Sequence, residues 1–81
     1  MKIYWHDNRK NVIGTNVKRL RKAAGLTQDQ LSVKLQLLEY EFDRVTIGRI
    51  ETGDRFVPDY EVKALADVFG VSTDRLFEKN N

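Results

Sequence analysis

One pattern recurs three times along this chain. An apolar residue precedes a Ser, Thr or Asp, and a second apolar residue follows four positions after the polar one. The sets are Leu26-Thr27 with Leu31, Phe42-Asp43 with Ile47, and Val71-Ser72 with Leu76. In each, the polar side chain can accept a backbone N–H of a starting helix, and the two apolar residues close over that start as a hydrophobic staple. At Thr27 the signal is doubled, because Gln30 occupies the position that completes a capping box. At Asp43 the carboxylate also suits the positive end of a helix. No segment alternates with the period of a strand, and no repeat is present. Such a chain is constrained to an all-α bundle of short helices.

Five helices follow. The first is predicted over residues 9–24, where Ile13, Val17, Leu20 and Ala24 form one stripe and Gly25 ends it. The second starts at Thr27, with Leu31, Leu35 and Leu38 on its inner face. The third starts at Asp43, turns Ile47 and Ile50 inward and closes at Gly53. The fourth follows Pro58 and Asp59, with Val62, Leu65, Ala66 and Phe69 inward and Gly70 as its cap. The fifth is short, capped by Ser72, with Leu76 and Phe77 packing inward. The organisation expected is an N-terminal arm over 1–8, one domain over 9–77 and a polar, frayed tail over 78–81. Ile3, Tyr4 and Trp5 are too apolar for a free tail. They pack on the first helix, pair with a second subunit, or form an arm.

Composition removes several functions. Eighty-one residues allow one modest core. There is no Cys and a single His, His6, so neither a disulfide framework nor a metal site is expected, and no cofactor is implied. Apolar runs are too short to span a membrane, and the first residues lack the apolar stretch of a signal peptide, so a cytoplasmic protein is expected. The net charge of +2 is unevenly placed: residues 1–25 carry +6 and residues 26–81 carry −4. A basic first helix on an acidic body suits an anionic partner, although a solvated helix face explains the charge alone more simply.

Catalysis finds no support, because the acids are spread over helix starts and exposed faces rather than gathered with a base and a nucleophile. A bundle this small offers little concave volume, and no small-molecule ligand is evident. DNA reading asks for a protruding helix with suitable side chains near its N-terminus. With Ile47 and Ile50 inward, Arg44, Val45, Gly48 and Arg49 face outward. Arginine can bond the O6/N7 pair of guanine, and Val45 can touch a thymine methyl. Gly48 costs a helix about 1 kcal/mol relative to Ala. It is either tolerated surface or a place where nothing bulkier fits against a groove.

The segments IGTNVKRLRKAAGLTQDQLSVKL, VTIGRIETG and LADVFGVSTDRLF resemble the lambda-repressor-like (Cro-like, or Xre) helix-turn-helix DNA-binding domains over residues 12–77. The resemblance implies a five-helix fold and a transcriptional regulator of prokaryotic or phage type. Its partner would be double-stranded DNA carrying a palindromic operator, bound by a homodimer. It implies base reading by Arg44, Val45, Gly48 and Arg49. It implies phosphate contacts from Gln28 and Thr46 and from Arg55 and Phe56 after the third helix, with Lys18 and Lys22 of the basic helix beside them. Arg21 and Glu51 match a structural ion pair, and Val71, Ser72, Arg75 and Phe77 lie where relatives pair.

The turn before the third helix departs from that pattern. Relatives use about five fewer residues there and a Gly, whereas this chain has Gln36-Leu37-Leu38-Glu39-Tyr40, and Ser32 replaces a usual Ala. The second helix is expected to run through Leu38, with Tyr40 and Phe42 tucked against the core and Glu39 and Glu41 facing away from phosphates. A protein-binding role on the same fold, such as an antitoxin, is the alternative.

Overall fold

The computed structural model describes residues 8–79. The arm over 1–7, with His6 and the Ile3-Tyr4-Trp5 run, and the last two tail residues lie outside the described residues. Five helices follow in order: α1 (Gly14–Ala23), α2 (Gln28–Leu37), α3 (Arg44–Thr52), α4 (Asp59–Phe69) and α5 (Thr73–Leu76), and the described residues contain no strand. The fold is all-α.

The helix starts are built as the caps require. Thr27 accepts the Gln30 backbone N–H at 3.1 Å, and the Gln30 side chain accepts the Thr27 N–H at 2.8 Å. Asp43 accepts the Thr46 N–H at 2.7 Å. Ser72 has the extended backbone of a cap but makes no side-chain cap bond. The staple at α5 still closes, with Leu76 buried and Val71 half-buried against the core.

One core joins all five helices: Ile13, Val17, Leu31, Leu35, Phe42, Ile47, Ile50, Ala64, Leu65, Ala66 and Leu76. Leu20, Val62, Phe69 and Tyr40 pack half-buried around it. Two buried polar side chains donate to backbone carbonyls. Ser32 donates to the Asp29 carbonyl at 2.6 Å, and Asn16 donates to the carbonyls of Leu76 and Glu78 at 2.8 and 2.7 Å. The Asn16 bonds tie the start of the tail to α1.

Three sequence expectations need correction. The first helix begins at Gly14 rather than residue 9, because the Asn11 side chain caps it by accepting the Gly14 N–H at 2.8 Å. Leu38 is not on a buried face; it is 48% exposed. The chain leaves α2 after Leu37, Glu39 takes a left-handed conformation (φ 67°), and the Glu39 and Tyr40 N–H groups bond the carbonyls of Gln36 and Leu35, both at 2.9 Å. That is a Schellman turn, and it brings Tyr40 and Phe42, not Leu38, back over the core. Phe77 is likewise 52% exposed rather than inward, because α5 ends at Leu76.

Candidate nucleic-acid interface

The third helix divides cleanly into two faces. Ile47 and Ile50 are fully buried and Glu51 nearly so. Val45, Arg49 and Thr52 are exposed on the opposite side, and Arg44 is exposed at its first position. An exposed Val on a helix whose inner positions are filled has no packing reason to be there. The Asp43 carboxyl that starts this helix is held below its ordinary value, first by the Thr46 backbone N–H. Thr46 itself is half-buried.

Three helices meet at Glu51. Arg21 of α1 grips its carboxylate from both sides, Nε to Oε2 at 2.7 Å and Nη2 to Oε1 at 3.0 Å. The same hydrogen bond raises the Arg21 pKa, so the guanidinium stays charged although buried. Gln28, at the first position of α2, donates to Glu51 Oε1 at 3.1 Å. Its side chain also crosses Gly48: a Cβ there would lie 3.6 Å from Gln28 Oε1, an ordinary contact. Gly48 is therefore covered by Gln28 rather than fully open, and the fold itself leaves room for Ala.

The C-terminal end of α3 is clamped by Arg9, Lys10 and Asn11, which precede α1. Asn11 Nδ2 donates to the Ile50 and Arg55 carbonyls at 3.1 and 2.9 Å. Arg9 donates to the Glu51 carbonyl at 2.8 Å, and the Lys10 N–H donates to the Gly53 carbonyl at 2.7 Å. A cation at a helix C-terminus opposes the negative end of the helix dipole. Gly53 is required by its left-handed φ of 82°, and a Cβ there would also push aside the Arg9 side chain, 2.6 Å away. Gly14 is required by proximity alone: a Cβ would meet the Ile50 carbonyl oxygen at 2.0 Å. The sequence signal here is Asn11, a capping residue three positions before a glycine, which marks the local cap.

In the loop after α3, Arg55 is held by an ion pair. Both Nη groups bond the nearly buried Glu61 carboxylate, with Nη2 to Oε2 at 3.0 Å, and this bond raises the Arg55 pKa. This ion pair anchors the loop that carries the Phe56 and Val57 amides, and the Arg55 side chain stays 31% exposed. Phe56 is exposed, with Lys10 Nζ 5.9 Å from its ring centre. Lys18 and Lys22 are exposed on α1, at successive turns after Gly14. Of the residues assigned to pairing, Ser72 and Phe77 are exposed, Val71 is half-buried, and Arg75 pairs with Glu78 at 3.3 Å.

These features reproduce a two-helix reading head, α2 and α3, braced by a third helix, and the helix-turn-helix domain family matches residues 12–78. The chain belongs to this family. Its fold is similar to that of the restriction-modification controller protein C.AhdI from Aeromonas hydrophila. There the TM-score is 0.70 at 29% identity, over 80% of this chain and 91% of that one. It is also similar to the DNA-binding domain of BldD, with a TM-score of 0.72 over 88% of this chain and 96% of that one. That second likeness, at 24% identity, concerns the fold alone. No curated protein gives a significant match. This helix-turn-helix domain is thus of the Cro/Xre-like kind. Among its described residues no helix is long and apolar enough to cross a membrane.

Proposed function

We propose that this helix-turn-helix domain binds double-stranded DNA sequence-specifically as a transcription regulator, with α3 in the major groove. The observation that carries the reading is the outer face of α3, where Arg44, Val45 and Arg49 are exposed while the inner face is fully packed. Arg44 and Arg49 would bond guanine edges and Val45 a thymine methyl, with Gly48 at the margin under Gln28. Gln28, Thr46, Lys18, Lys22 and the Phe56 backbone would hold phosphates, and Arg55 would fix the loop that presents Phe56. Two copies joined through Val71, Ser72, Arg75 and the exposed Phe77 would set two α3 helices about 34 Å apart on a palindromic operator.

A protein-binding role draws on a different surface. Val33, Leu37 and Leu38 are 53%, 78% and 48% exposed and form an apolar ridge at the α2 corner. The salt dependence of binding separates the two. Affinity for duplex DNA that falls steeply and linearly on a log–log plot against salt supports the regulator. Gln28→Ala should then weaken binding to all sequences alike, and Arg44→Ala should remove about 1–3 kcal/mol of base discrimination. A chain that retains no DNA at low salt but co-purifies with a protein partner would support the antitoxin-like reading instead.

A further inference from the structure

On a surface that meets phosphates, a fully hydrated carboxylate is a liability. Asp29 is such a group: it lies in the first turn of α2, and its side chain is 74% exposed. Its Oδ1 is 3.5 Å from Arg44 Nε, across the gap between the N-terminal turns of α2 and α3. Arg44 opens α3, where the positive end of the helix dipole disfavours a cation. Two carboxylates offset that placement, Asp43 beside it in sequence and Asp29 across the gap. Asp43 is already occupied as the cap of Thr46, so the carboxylate left to orient Arg44 is Asp29.

The side of the guanidinium that Asp29 takes matters. A bidentate bond to guanine O6 and N7 uses two N–H groups of one guanidinium edge. The closest approach of Asp29 is to Nε, and among the described residues no hydrogen bond occupies the two Nη groups of Arg44. A long, exposed arginine otherwise samples many rotamers, and ordering it on binding weakens discrimination. A carboxylate on a rigid helix removes part of that freedom before the base arrives.

We propose that Asp29 is a specificity-determining residue, which holds Arg44 by its Nε edge so that the Nη fork faces a guanine. The inference rests on the DNA-binding reading above. It carries an unusual sign. Asp29 lowers affinity for DNA in general, through repulsion of phosphates, and raises the preference for the right base.

The test measures binding of the wild-type chain, Asp29→Asn, Arg44→Ala and the double variant to a selected duplex and to the same duplex with the guanine replaced. Thermal melts alongside confirm that each variant folds. Asp29→Asn should bind random duplex more tightly than wild type and lose about tenfold in preference, at the same base pair that Arg44→Ala affects. The double variant should be no less selective than Arg44→Ala alone. Tighter binding of Asp29→Asn to every duplex by one common factor, with preference intact, overturns the proposal and leaves a merely repulsive acid. Additive losses in the double variant also overturn it, since Asp29 would then read its own base, such as the cytosine amino group. Wild-type protein with no base preference at all removes the DNA-reading proposal itself, a failure distinct from the other two.

Discussion

The two ends of α3 are held by opposite means. At the C-terminal end, Glu51 receives Arg21 and Gln28, Asn11 and Arg9 bond the last carbonyls, and Gly14 lets α1 approach to backbone contact. At the N-terminal end there is one cap, Asp43, and a corner in which Leu37 and Leu38 face solvent. That corner is tied back chiefly by Phe42 in the core and by Tyr40, whose hydroxyl bonds Asp67 at 2.9 Å. The corner even places a glutamate, Glu39, in the left-handed conformation that glycine takes at the ends of α1, α3 and α4. The contrast explains how a lengthened turn is accommodated. Most bonds that hold α3 come from its far end, from α1 and the strap before it, while the corner turns back on the core through Tyr40 and Phe42.

Substitutions can break or sharpen this contrast. Glu51→Ala has the largest expected effect. It leaves Arg21 buried without its partner and should cost about 3–5 kcal/mol in urea unfolding. Gly14→Ala comes next, because its Cβ must displace the Ile50 carbonyl; overpacking of this kind costs about 1–3 kcal/mol, and DNA binding should fall with it. At the other end the effects reverse or vanish. Glu39→Gly should raise stability by about 1 kcal/mol, since the left-handed penalty exceeds the entropy that Gly adds. Leu37→Ser should stay within about 0.5 kcal/mol of wild type in a thermal melt. A Leu37→Ser cost comparable to that of Glu51→Ala would show that the corner, and not the C-terminal clamp, supports α3.

What the sequence disclosed follows the same division. Caps and staples act within a few residues, so Thr27, Asp43 and the apolar faces of α2, α3 and α4 were readable from spacing. The Arg21–Glu51 pair was reachable only through family resemblance, since thirty residues separate the partners. Asn11 before Gly14 signals only the local cap; its bonds and those of Arg9 to carbonyls some forty residues away have no sequence signature. The Arg55–Glu61 pair was hidden for a related reason. Arg55 and Glu61 stand six residues apart across Pro58, and only the folded loop brings them together. Leu38 misled because the apolar period continues past the residue where the chain turns.

The most direct measurement is selection of bound duplexes from a random pool, with the wild-type chain and with Arg44→Ala in parallel. Wild type should yield one recurrent sequence, containing a guanine whose enrichment disappears in Arg44→Ala. No enriched sequence, or the same sequence with the same guanine from both proteins, would contradict it.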